Sequence, residues 1–242
     1  MVHGIYNYDG KVLWAYVKVI NDTLVEGYRI TSGWGAENWC MIVYHSIPVL
    51  ADAIVKGISG YNPTKVLNSC LSTANNPLYP GVSDYRKYGY VPEDHVVNAA
   101  SITLEYAYDD FTLAQLADAI AQRTLLPDFT RFYVRQQSLT FLERSRNFLN
   151  VFDTIRDFVR PRNSDGSWKE PFYPLSTHGQ GFIEGNSWNY FFYVPHDIPA
   201  LIGLMGGEEA FIRFVRARLF MRSAGPVSNL LSFPSRLTKK VN

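Results

Sequence analysis

The segment from Ala99 to Ala121 constrains the fold of this 242-residue chain more than any other part of the sequence. Its residues are mostly apolar and long enough for six turns, so the segment predicts a long helix inside a core. Three of its four acids lie close together in its middle, namely Glu105, Asp109 and Asp110. Glu105 and Asp109 are four residues apart, which places them on one face of a helix.

The pair Asp109–Asp110 leaves two interpretations open. Inside a core, adjacent carboxylates are unfavourable unless a partner, a metal or a polar ligand compensates them. Alternatively the helix breaks near the pair, and both acids lie at a helix end in solvent. The residue pattern does not choose between these two arrangements.

The rest of the chain predicts one short β element followed by helices in series. Residues 11–31 alternate as two strands around an Asn21-Asp22 turn, which indicates a β-hairpin. Gly57 is a helix stop signal, and Pro63 suits a first helical position because its missing N–H is not needed there. We expect helices at 38–58, 128–152, 187–204 and 207–220, and loops at 76–92 and 158–186.

Composition excludes several classes of protein. With 47% hydrophobic and 19% charged residues the chain can bury a core, so wholesale disorder is excluded. Two cysteines exclude a disulfide framework and a four-thiolate zinc site. No window reaches the ~18 apolar residues of a membrane helix, and the N-terminus MVHGIYNYDG carries no signal-peptide pattern.

Charge is unevenly distributed along the chain. Seven basic residues and no acid follow Glu209, although the formal net charge of the whole chain is only +1. A basic tail can bind nucleic acid or an acidic membrane, but SAGPVSNLLSFPSRLTKKVN lacks an amphipathic period and aromatic–basic interleaving. We therefore expect a disordered, solvated tail or out-of-register sequence at 221–242, and neither nucleic acid nor a membrane as partner.

Glu184 is the strongest candidate for a catalytic residue. It lies in GFIEGNSWNYFFYVPHD, where Phe182 and Ile183 precede it and Gly185 permits close backbone approach. An apolar environment would raise the pKa of this carboxyl, so that it could donate a proton near neutral pH. A surface glutamate before a helix is the alternative interpretation.

Other candidates carry weaker signals. Arg160 and Arg162 can form a fork for a carboxylate or for sugar hydroxyls. The oxygen-rich run 163–167 lacks the spacing of a calcium loop, so we expect a plain turn there. The histidines at 45, 95, 178 and 196 are isolated from one another, and the sequence contains no HExxH, GxSxG or Walker motif.

Four strings occur together in order: NWCMIVYHSIPVLADAIVKGISGYNP, SITLEYAYDD, FVRPRNSDGSW and GFIEGNSWNYFFYVPHDIPALIGLMGG. Between about residues 38 and 220 they resemble the calcium-dependent exo-α-mannosidases of glycoside hydrolase family 92. The resemblance implies a mainly α fold, a partial (α/α)6-barrel or toroid with a short N-terminal β-hairpin left from a β-sandwich. The implied domains are 1–35 (sandwich remnant), 36–220 (partial catalytic domain) and 221–242 (tail).

The resemblance also implies an activity and its residues. Family members hydrolyse terminal α-linked, often α-1,2-linked, mannose of glycans with inversion of configuration. By matching motif, Glu184 is the general acid, and the substrate-binding positions are Asp109, Asp110, Arg162, Trp188 and His196. Relatives mostly act outside the cytoplasm, which implies an extracellular or periplasmic location.

The sequence also departs from the family pattern. The Asn-Glu-Pro-Ser-His-His and Gly-Gln-Met-Ser-Ala-Trp type segments, near which the base and the calcium ligands are expected, are absent from it. Inversion needs two carboxyl groups about 6.5–9.5 Å apart with a water between them. We therefore expect weak or no hydrolysis and, from the incomplete barrel, self-association through an exposed face. A non-catalytic mannose- or glycan-binding remnant and an inactive helical fragment are the alternatives.

Overall fold

The computed structural model describes residues 44–58, 61–122 and 126–221, with side chains described as far as residue 217. The described part is mainly helical, as expected. Its helices are α1 (Ser46–Val55), α2 (Pro63–Ala74), α3 (Val82–Tyr88), α4 (Ala99–Ala121), α5 (Asp128–Arg144), α6 (Ser187–Tyr190), α7 (Ile198–Leu204) and α8 (Glu208–Met221). A 3-10 helix (Ser145–Val151) follows α5, and two short strands, β1 (Phe152–Asp153) and β2 (Phe158–Val159), pair antiparallel.

Helix α4 is the centre of the molecule. It contacts α1, α2, α5 and the 3-10 helix, and its apolar residues contribute to two separate core clusters. One side packs through Tyr106 and Leu113 against α1, α2, α3 and α5. The other side packs through Leu104 and Ala107 against aromatic residues from the second half of the chain. A helix covered on both sides must be apolar all round, which explains why the 99–121 segment shows no polar face.

The helix break of the second interpretation, near Asp109 and Asp110, does not occur. Helix α4 runs through this pair without interruption, and both side chains have no solvent exposure. The interpretation that placed the two acids at a helix end in solvent is therefore wrong. The structure leaves the other interpretation, in which buried carboxylates have found partners.

Several helix ends follow the expected local signals. The Asn62 side chain accepts a hydrogen bond from the Lys65 N–H, with Pro63 in the first turn of α2. The Asp197 side chain caps α7 in the same way at Ala200. Gly57 follows α1 with a φ of 76°, a left-handed conformation typical of a helix stop.

Three expected elements differ from the structure. The helix expected at 187–204 is divided into α6 and α7 around Pro195, and α7 begins beside Pro199. The loop expected at 76–92 contains helix α3, which lies between two left-handed glycines, Gly81 and Gly89. The helix expected at 128–152 ends at Arg144 and tightens into the 3-10 helix. Here the Ser145 hydroxyl donates to the Leu142 carbonyl, and the Asn150 amide donates to the Gly89 carbonyl. Such side-chain bonds compete with the regular helical ladder.

The expected hairpin at 11–31 and the tail after residue 221 lie outside the described residues. The three-domain division and the toroid therefore stay predictions. Within the described part, no helix is both long and apolar enough to cross a bilayer.

Candidate functional site

The loop that carries Glu184 is anchored to the first turn of α4. The Gly181 carbonyl accepts hydrogen bonds from the Ala100 and Ser101 N–H groups at 3.1 and 3.2 Å. The Ile183 N–H donates to the Ser101 hydroxyl at 3.0 Å. The first N–H groups of a helix have no hydrogen-bond partner within the helix. The loop therefore supplies acceptors to the N–H groups at the start of α4, and these bonds hold the loop in place.

Gly181 is required at this anchor. Its φ is 80°, and a Cβ there would overlap the Pro161 ring and lie 2.8 Å from the Glu93 carboxylate. That carboxylate accepts the Ala99 N–H at 3.2 Å and pairs with the Lys169 ammonium at 2.6 Å. A side chain at position 181 would therefore disrupt the helix start and the ion pair together.

Glu184 itself projects to the surface. Its side chain is exposed, so the apolar environment expected from its sequence neighbours is not present. Its φ of 47° turns the chain, so that Phe182 is buried while Glu184 faces outward. Left-handed backbone costs a non-glycine residue about 1–2 kcal/mol, and such strain concentrates at functional positions.

Tyr190 forms the wall beside Glu184. A Cβ added to Gly185 would lie 3.3 Å from the Tyr190 ring, so the glycine permits close packing of loop and ring. The Tyr190 hydroxyl donates to Glu105 Oε1 at 2.8 Å. Burial and the Glu105 carboxylate raise the pKa of Tyr190, and the Glu184 carboxylate adds to that effect. The phenol is therefore protonated at neutral pH.

His45 joins two acids of α4. Its Nε2 lies 2.8 Å from Glu105 Oε2, and its Nδ1 lies 2.9 Å from Asp109 Oδ1. The imidazole is about one-third exposed, whereas Asp109 is fully buried. The four-residue spacing of the acids therefore does place them on one face, where a single imidazole bridges them.

The charges of Glu105 and Asp109 favour the imidazolium form of His45. Burial opposes protonation of His45, but the carboxylates of Asp109 and Glu105 outweigh it and raise the pKa to about 10. Burial raises the pKa of Asp109 to about 6, although His45 acts in the opposite direction. Between these two values the imidazolium and the Asp109 carboxylate are both charged. The stability contributed by His45 is complete below pH 6.5 and is lost as the pH rises through about 10.

Asp110 has different partners. Its Oδ2 accepts from Arg144 Nε at 2.6 Å, a second guanidinium N–H contacts Oδ1, and the Tyr44 hydroxyl donates to Oδ1 at 3.0 Å. Arg144 also donates to the Ala74 carbonyl at 3.1 Å and to the Asn75 side chain at 3.3 Å. The structure thus places Asp110 in the core, and its role at a sugar pocket stays a prediction.

The fork expected from Arg160 and Arg162 does not form. Arg160 is buried, and its guanidinium pairs with Asp153 at 2.9 Å and with Glu170. Arg162 donates to the Gly166 carbonyl at 2.9 Å and stacks on aromatic rings of its own neighbourhood. No hydrogen bond or ion pair among the described residues joins Arg162 to Asp109 or Asp110.

Trp188 and His196 lie in aromatic packing. The Trp188 ring is 5.7 Å from Phe158 and 5.6 Å from Phe214, centroid to centroid. The His196 ring packs on Phe111 and Phe148, and its Nε2 lies 3.1 Å from a backbone carbonyl. Burial lowers the pKa of His196, so the ring is neutral at pH 7. Sugar-contacting roles for both residues stay predictions.

Sequence reasoning missed His45, Tyr190 and Arg144. Their partners on α4 are 60, 85 and 34 residues away, respectively, and no local pattern reports such pairing. The available signal was indirect: two acids on one face of an apolar helix demand cationic partners.

The calcium ion implied by the resemblance does not fit this acid row. Calcium takes six to eight oxygen ligands. Here the Glu105 and Asp109 carboxylates face an imidazolium, and both Asp110 oxygens face a guanidinium. Within the described part of the chain, no group of three or more His, Cys, Asp or Glu residues is arranged to hold a metal ion.

Comparisons with known proteins agree with the motifs. Residues 16–227 match the model of the glycosyl hydrolase family 92 catalytic domain. A family 92 α-mannosidase from Bacteroides thetaiotaomicron shares the fold with a TM-score of 0.70 and 32% identity, over 82% of this chain and 26% of its own length. That enzyme is also known in complex with mannoimidazole.

Two further relatives are similar over shorter regions. A family 92 inverting mannosidase from the same bacterium has a TM-score of 0.62 and 29% identity, over 72% of this chain and 23% of its own. An uncharacterized secreted glycosidase from Arthroderma benhamiae is 27% identical in an alignment 154 residues long, and the match covers 54% of this chain and 19% of that protein. The chain thus spans about a quarter or less of each relative. On the domain match and these structures, it belongs to glycoside hydrolase family 92.

Proposed function

We propose that the chain forms the acid side of an α-mannosidase site, with Glu184 as the general acid and a terminal α-linked mannose as its ligand. The observation that carries this proposal is the anchored loop: α4 holds an exposed carboxylate, on a left-handed backbone, beside Tyr190, and the Tyr190 hydroxyl donates to Glu105. The names of the Bacteroides relatives supply the substrate class and the inverting outcome.

In this mechanism Glu184 donates its proton to the glycosidic oxygen as the bond to the anomeric carbon breaks. A bound sugar would cover the carboxyl and exclude water from it. Tyr190 supplies a hydroxyl and an aromatic wall on the same side. A water on the opposite face of the sugar then needs a base, for which these residues offer no candidate.

Binding without catalysis is the second candidate function. It is favoured because Glu105, Asp109 and Asp110 all pair with cationic partners, so none of these three acids is free to activate a water. An α-1,2 preference, a calcium requirement and an extracellular location are further proposals, the last supported by the secreted relative.

Isothermal titration with mannoimidazole tests the binding function. We expect saturable binding by the wild type and at least tenfold weaker binding by Glu184→Gln, because hydrogen bonds to charged groups contribute about 1.5–3 kcal/mol. Glu208→Gln, an exposed acid at the start of α8, is the matched control and should bind like the wild type. If Glu184→Gln binds as tightly as the wild type, Glu184 does not contribute to the binding site.

We further propose that the chain self-associates through the outer face of α5. Five large apolar side chains are exposed there: Phe129, Phe132, Tyr133, Leu139 and Leu142. Clustered apolar exposure of this kind favours association. Sedimentation velocity at tens of micromolar should show dimers or larger species of the wild type. The variant Leu139→Gln should form fewer of these species. A compact monomer would contradict the proposal.

A further inference from the structure

Four side chains link the start of α1 to the Glu184 loop. We call His45, Glu105, Asp109 and Tyr190 the His45 relay. His45 bridges the two acids of α4, and the free oxygen of Glu105 accepts the Tyr190 hydroxyl at 2.8 Å. The relay therefore runs from one side of the buried helix to the loop on its other side.

When both acids are ionised, the bridging geometry requires two ring protons. A neutral imidazole has one N–H and one lone pair, so one of the two contacts would place a lone pair against a carboxylate oxygen. An imidazolium donates to both acids. The groups that face it are Glu105 and Asp109 from α4, while Tyr190 and Tyr193 approach these acids from the segment after Glu184.

Tyr190 connects the paired His45 and Glu105 to the loop that carries Glu184. Its hydroxyl donates to Glu105 and lies near Ser101, whose hydroxyl accepts the Ile183 N–H. Its ring packs against Gly185, directly after Glu184. If Glu105 turned away from Tyr190, both supports of the loop would weaken together.

We propose that His45, held as an imidazolium between Glu105 and Asp109, is a positioning residue that fixes Tyr190 and thereby the loop carrying Glu184. The proposal uses the role of Glu184 given above, but the contacts themselves do not involve sugar. A test on the loop is therefore independent of a test on mannose binding.

Amide hydrogen exchange at Ile183 measures the loop directly. We expect at least tenfold faster exchange in His45→Asn and in Tyr190→Phe, which keeps the ring and removes the hydroxyl. The double variant should exchange no faster than the faster single variant, since both changes break one pathway. The Val66 N–H in α2 serves as an amide reference, and its exchange should stay within twofold of the wild type.

His95→Asn is the matched control. His95 also pairs with a carboxylate, Asp84 at 3.1 Å, but this pair is on the surface, so exchange at Ile183 should stay within twofold. Nitrogen NMR at pH 8 supplies a second readout that a merely structural histidine would not give. His45 should carry protons on both ring nitrogens, whereas the buried His196 should carry one.

Three results would each overturn the proposal. The first is unchanged exchange at Ile183 in Tyr190→Phe, the second is additive effects in the double variant, and the third is a singly protonated His45 at pH 8. If His45→Asn does not fold, Tyr190→Phe and the wild-type NMR signals still decide it. Failure of mannoimidazole to bind, with the relay couplings intact, would instead contradict the proposed function alone.

Discussion

Replacing Arg144 with methionine should destabilise the protein by about 3–5 kcal/mol, because it leaves the Asp110 carboxylate buried without its cation. Arg144 contacts both Asp110 oxygens and also satisfies the carbonyl of Ala74 at the end of α2. The substitution removes these bonds at once, at a point where three helices meet. Chemical denaturation monitored by circular dichroism gives the free energy of unfolding directly.

Two further variants identify the cause of this loss. Arg213→Met removes a surface arginine whose contact with Glu209 is 3.8 Å and exposed, so it should cost less than about 1 kcal/mol. The double variant Arg144→Met with Asp110→Leu should recover more than half of the loss, since it removes both buried charges. A single-variant cost as small as that of Arg213→Met would show that Asp110 and Arg144 do not form a buried pair.

This chain should hydrolyse an aryl α-mannoside about 10²–10⁴-fold more slowly than the Bacteroides relatives do, or not at all. General-base assistance is typically worth about that factor, and the three acids of α4 that lie nearest the loop are paired with cations and so are not free to act as the base. The rate is measured from release of the aryl alcohol, with and without added calcium. Robust calcium-dependent turnover that Glu184→Gln abolishes would show that a base lies within these 242 residues.

Local sequence predicted the elements that local physics determines. The bounds of α4, the proline start of α2 and the glycine stop after α1 all follow from apolar spacing and backbone preference. The ends of α3 and α5 were not predictable in this way. They depend on contacts between distant segments, such as the bond from the Asn150 side chain to Gly89.

The candidate site shows the same division. The acid row of α4 left open whether its acids have partners or lie at a helix end in solvent. Only the fold reveals that His45 pairs with Glu105 and Asp109 while Arg144 pairs with Asp110. For Glu184 the flanking apolar residues were misleading. They suggest burial, yet a single left-handed residue directs Phe182 into the core and the carboxylate to the surface.

Titration of nitrogen-15-labelled chain with mannoimidazole tests the central claim most directly, because it shows where the ligand binds. The claim predicts chemical-shift changes concentrated at residues 181–190 and at His45, with little change in α2 and α8. Saturable binding with shifts confined to other surfaces, or no shifts at millimolar ligand, would contradict a mannose site built on the Glu184 loop.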